Sequence, residues 1–107
     1  IRDFTYIKDL TQILLKLQKV KPKKKHDILN VCSGKPINIT QTIKHYSKKI
    51  SKPKIIMRSL QKADIIKTHG NNSKLKKYVK NLSFTKFEVA LDNTLDWYRK
   101  NKIEKIV

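Results

Sequence analysis

Residues 28–36 read Ile28-Leu29-Asn30-Val31-Cys32-Ser33-Gly34-Lys35-Pro36, and the fold class turns on them. The apolar run 28–32 is too short for a helix of its own and reads as a short buried strand. Ser33-Gly34-Lys35-Pro36 then turns the chain sharply. The glycine is free to take a positive φ, and the proline fixes the exit.

Upstream, Leu10, Ile13, Leu14 and Leu17 fall at i, i+3, i+4, i+7, one apolar stripe on a helix of about three turns. Asp9 is its expected N-cap, where a carboxylate also suits the positive end of the helix dipole. Residues 19–25, with Pro22, end that helix in a basic surface loop. Downstream, Ile39, Ile43, Tyr46 and Ile50 trace a second amphipathic helix with Thr40 as its expected cap, broken at Lys52-Pro53. Residues 54–57, with β-branched Ile55 and Ile56, read as a second strand.

Residues 58–72 show no clear period and hold Gly70, so a long irregular loop with one helical turn is expected there. Asn72 or Ser73 opens a short basic helix through Val79. Thr85 and Glu88 have capping-box spacing. The last helix carries Phe87, Ala90, Leu91, Thr94 and Tyr98 down one face, with Leu95 beside it and Trp97 at its edge. Residues 102–107 are expected to fray. The predicted class is α/β: about four helices and two or three short strands in one domain, residues 1–107. Two strands make a poor sheet alone, so an apolar face docked on another domain is expected.

The chain holds 107 residues, with 26 Lys+Arg against 8 Asp+Glu and a net charge of +18. All the cations except Arg2, Arg58 and Arg99 are lysines, alongside abundant Ile and Asn. That pattern fits an AT-rich genome better than a dedicated nucleic-acid reader, which favours the planar fork of Arg. A small basic nucleic-acid-binding module remains the rival reading. Cys32 is the only cysteine, so no internal disulfide forms, which suits a reducing cytoplasm. It is expected as a buried small hydrophobe. No apolar stretch approaches the roughly 20 residues that span a bilayer. No His, Cys, Asp and Glu cluster has metal-ligand spacing, and the two glycines form no phosphate loop. The acids are too few and too isolated to nominate a general acid/base pair. What remains is a binding pattern: Arg2 at the entry, then Arg58, Gln61 and Asp64 in the loop. Arginine forks onto phosphate oxygens, and a carboxylate accepts from ribose hydroxyls.

The segments Arg2 to Leu10, Leu29 to Ile37, Gln61 to Asp64, Ser73 to Leu75 and Thr85 to Tyr98 resemble, in register, motifs of the extended short-chain dehydrogenase/reductases that act on nucleotide sugars. The likeness is greatest to UDP-glucuronate 4-epimerases. It implies the C-terminal substrate-binding subdomain of an NAD-dependent epimerase or dehydratase, normally docked on a Rossmann domain that carries NAD and the catalytic Tyr-x-x-x-Lys. It also implies a start to the chain inside a motif, with residues removed upstream. By the same resemblance Arg2 contacts the diphosphate of a UDP-hexose or UDP-hexuronate, Asp64 holds the ribose, Gln61 takes a phosphate-side position, and Arg58 is near enough to assist. Such a fragment is expected to be inactive alone, because oxidation at C4 needs the missing domain.

Overall fold

The computed structural model describes residues 1–50, 53–59 and 61–101. Four helices carry it: α1 Ile7–Leu17, α2 Ile39–Lys49, α3 Ser73–Tyr78 and α4 Phe87–Lys100. Among the described residues the only β pairing is an isolated antiparallel bridge between Arg2 and Ile37. Its two backbone hydrogen bonds measure 2.9 and 2.7 Å.

The α/β class is therefore corrected to a small, mostly helical domain, and neither expected strand forms. Residues 28–32 do keep an inside and an outside. Leu29 and Val31 pack on the core, while Ile28 is 71% exposed. What they lack is a backbone neighbour. Apolar and β-branched content specifies a half-buried extended run, but a strand exists only through its ladder. Here side chains meet carbonyls that a ladder would have used. Lys74 Nζ donates to the Ile28 carbonyl at 2.8 Å, and Asn72 Nδ2 donates to the Cys32 carbonyl at 2.9 Å. Residues 54–57 do not enter a core at all: Ile55, Ile56 and Met57 are all exposed.

The core is small. Ile13, Leu75 and Val79 are buried, with Leu17, Leu29, Val31, Tyr78, Leu82 and Phe84 packed around them. The α1 stripe sends in Ile13 and Leu17 and leaves Leu14 half exposed. On α4, Leu95 is buried, whereas Trp97 and Tyr98 stay exposed and meet edge to face. Phe4 and Phe87 rings, 5.3 Å apart, bring the entry segment to the start of α4. The Cα radius of gyration is 17.0 Å, against about 13 Å for a compact domain of this length. So open a shape fits the scarcity of buried side chains.

Helix starts also depart from local expectation. The residue before α1 is Tyr6, and Asp9 lies inside the first turn. Its carboxylate accepts instead from Thr85, from the backbone N–H at 2.9 Å and the hydroxyl at 2.6 Å. Thr85 is thereby committed to α1, and α4 begins at Phe87 without a side-chain cap. A distant carboxylate has outcompeted the local capping box while still lying near the positive end of the α1 dipole. Asn38, not Thr40, caps α2, accepting from the Thr40 N–H at 3.0 Å. Gly34 takes φ 70°, as its turn requires. The expected break at Lys52 and the expected fraying over 102–107 lie outside the described residues. No described helix is long and apolar enough to cross a membrane.

Candidate anion-binding site

Acids are scarce here, and half of them serve as cross-links. Asp3, Asp9, Asp27 and Asp92 each join segments far apart in sequence. Asp3 is the hub. Its carboxylate accepts from the Ser33 hydroxyl, from the Gly34 N–H at 3.1 Å and from the Gly70 N–H at 3.0 Å. Its own N–H donates to the Thr68 hydroxyl at 3.0 Å. Burial pushes the Asp3 carboxyl up, but the hydrogen bonds from Ser33, Gly70 and Gly34 outweigh it and hold the group below the usual range. Gly70 is required by this closeness, since a Cβ there would stand 2.4 Å from Cys32 Sγ. Cys32 itself is half-buried, and burial followed by the Asp3 charge pushes its thiol up. That suits an inert side chain rather than a nucleophile.

This clasp sets the position of Arg2. The residue is half-buried, and its backbone is held by the bridge to Ile37. Its Nη1 donates to the Ile1 carbonyl at 2.9 Å and reaches the Ile66 carbonyl at 3.4 Å. Thr68 N–H donates to the Ile1 carbonyl at 3.2 Å. The guanidinium therefore borders the loop that holds Gln61 and Asp64.

Gln61 and Asp64 share one turn. Asp64 N–H donates to the Gln61 carbonyl at 3.0 Å, and Asp64 Oδ2 accepts from the Gln61 N–H at 3.2 Å. Asp64 Oδ1 carries no hydrogen bond among the described residues. Arg58 is exposed and makes no described hydrogen bond or ion pair. The structure thus brings Arg2 to the carbonyl two residues beyond Asp64, places Gln61 with Asp64, and leaves Arg58 to solvent.

Two further clusters were not singled out by the sequence reading. Asp92 on α4 accepts from His45 Nε2 at 2.7 Å and from Lys49 Nζ at 3.1 Å, both on α2. These hydrogen bonds hold its carboxyl below the usual range. Asp27 accepts from Lys74 Nζ and from the Tyr78 hydroxyl. The hydrogen bond from Lys74, then that from Tyr78, bring its carboxyl down to about 2. The same bond to Asp27 pushes the Tyr78 hydroxyl up. An i, i+4 Lys74–Tyr78 pair flanked by lysines was the available signal, but nothing local points to residue 27. Among the described residues no group of three His, Cys, Asp or Glu gathers as metal ligands would.

Comparison with known proteins overturns the family assignment. No family model matches the chain, and no solved structure matches it. It is similar to an uncharacterized protein of Methanocaldococcus jannaschii, 28% identical over 104 residues, covering 94% of this chain and 31% of that protein. The chain thus spans about a third of the length of that relative. Membership of the extended short-chain dehydrogenase/reductases is not supported by any of these. The short strings behind the resemblance have local physical uses here. The aspartate of the first string is the Asp3 hub, Ser33 to Pro36 is a turn, and Thr85 is the partner of Asp9. Turn and clasp chemistry of this kind recurs on unrelated folds.

Proposed function

We propose that this chain supplies one wall of a cleft that binds a nucleotide sugar by its ribose and diphosphate. The observation carrying the proposal is the Arg2 guanidinium, 3.4 Å from the Ile66 carbonyl beside the turn closed by Asp64. Nη1 is committed to backbone carbonyls, so Nε and Nη2 are the nitrogens left to fork onto phosphate oxygens. Asp64 Oδ2 is held by the Gln61 N–H, which leaves Oδ1 to accept from ribose hydroxyls. Gln61 offers an amide to the phosphate side, and Arg58 and Lys62 extend the positive field.

The proposal gives this chain binding and orientation only. NAD does not fit it: Gly34 serves a turn against Asn72, and Gly70 a close approach to Cys32, so neither opens a phosphate cradle. Oxidation at C4 of a UDP-hexose or UDP-hexuronate, the reaction of an epimerase or dehydratase, would fall to a cofactor-binding domain outside these residues, and the chain alone should not turn over. A cytoplasmic setting accords with the solitary, inert Cys32.

Calorimetric titration with UDP-glucose tests the reading. Arg2→Ala should weaken binding by about tenfold or more, the scale for removing a charge-assisted phosphate contact. Equal affinity in the two proteins would remove Arg2 from the site.

A further inference from the structure

A second basic cluster lies elsewhere on the molecule. Residues 23–30 and α3 border an open depression of about 660 Å³ lined by Lys23, Lys24, Asp27, Lys74, Lys77 and Tyr78. Asn30, Asn71 and Ser73 complete its lining. We propose that this depression binds a small phosphate-bearing anion between Lys23 and Lys24 on one side and Lys74 and Lys77 on the other.

The charge balance is the first argument. Four lysines face one acid, and that acid is already satisfied. Asp27 accepts from Lys74 and Tyr78 and from the Ile28 N–H at 3.0 Å. Lys23, Lys24 and Lys77 form no ion pair among the described residues, so positive charge stays unbalanced across the depression. The second argument is order. Lys74 is pinned by Asp27 and by the Ile28 carbonyl at 2.8 Å, and Lys23 Nζ stands 5.4 Å from the centre of the Tyr78 ring. These contacts reduce the side-chain entropy an incoming anion would otherwise have to overcome. The third argument is the complement of neutral donors. Asn71 Oδ1 is occupied by the Ser73 N–H at 2.9 Å, which leaves the Asn71 amide nitrogen to donate. Ser73 adds a hydroxyl.

Size decides between a small anion and a polymer. The volume falls in the range of small-molecule sites, roughly 300–1,000 Å³. A nucleic-acid backbone wants cations spread along a strip, whereas these four line one depression. Nothing in this site uses Arg2 or Asp64, so it stands apart from the nucleotide-sugar proposal.

The probe is inorganic phosphate, titrated at constant ionic strength and read by backbone amide shifts. Saturable shifts should centre on Ser73, Lys77 and Tyr78. The double variant K23A/K77A should weaken them by roughly fivefold or more, the scale for two exposed charges. The control K44A/K48A on α2 removes the same charge and should change affinity by less than about twofold. Equal losses in the two double variants would overturn the proposal, as would shifts spread over every lysine-rich face without saturation. Duplex DNA that displaces phosphate from Tyr78 with a steep salt dependence would assign the hollow to a polymer and overturn it as well.

Discussion

Residues 70–79 and residues 53–67 are neighbours in sequence and opposites in structure. The first stretch holds Asn72, Leu75 and Val79, all buried, and Gly70 pressed against Cys32. In the second every described residue is exposed, including Ile55, Ile56, Met57, Ile65 and Ile66. Hydrophobicity alone does not separate them, since the exposed stretch is the richer in isoleucine. The difference lies in partners. Leu75 has Ile13, Val79 and the half-buried residues 29 and 31 about it, and Asn72 has the carbonyls of Cys32 and Ser33. The 53–67 arm is held to the entry segment at its far end, at Ile66, next to the Thr68 contact with Asp3. Apart from Arg2, the residues proposed to bind nucleotide lie on that arm, where no described side chain is buried to fix their positions.

Substitution should expose this contrast most strongly. Leu75→Ala, at a fully buried site, should lower unfolding free energy by about 2–5 kcal/mol. Gly70→Ala should cost about 1–3 kcal/mol, because the new methyl group must displace Cys32. Ile56→Ala on the arm should fall within about 0.5 kcal/mol of the parent. Urea denaturation measures all three. A loss at Ile56 comparable to that at Leu75 would mean that the arm is packed in solution, and the contrast would dissolve.

A smaller effect sharpens the comparison through pH. The carboxyls of Asp3, Asp27 and Asp92 are depressed in the fold. The unfolded chain therefore binds more protons in the acid range, and stability rises with pH there. For Asp27 the contribution is complete above its ordinary value of 3.8 and is lost as pH falls through about 2. Asp27→Asn should flatten the acid limb of the stability profile. Denaturation midpoints between about pH 2 and 5 would show it. An acid limb unchanged in Asp27→Asn would remove Asp27 from the account of what holds α3.

Much of the helical framework was legible, because periodicity is a local signal. The stripes over 10–17, 39–50 and 87–98 fall on α1, α2 and α4. The strands were misread because a partner is not encoded in the run that seeks one, and Ile28 to Cys32 found side chains where a ladder was expected. The clasps were illegible for a related reason. Asp9 and Thr85 are 76 positions apart, and Asp3 and Ser33 are 30 apart. Asp9 and Thr85 each had a credible local use at a helix start, and their pairing with one another outcompeted it. At the candidate site, an amide and an acid three apart suit a single turn, and Gln61 with Asp64 makes one. The approach of Arg2 to Ile66 has no local signature and depends on the Asp3 clasp being made.

The central claim is that the Arg2 guanidinium and the Gln61–Asp64 turn grip one ligand together. Backbone amide shifts recorded while UDP-glucose is added test it most directly. The account predicts saturable shifts that are largest at Arg2, Gln61, Asp64 and Thr68, persist in K23A/K77A and need about tenfold or more ligand to saturate in Arg2→Ala. Shifts confined to Ser73 through Tyr78, with residues 61–68 silent, would contradict it.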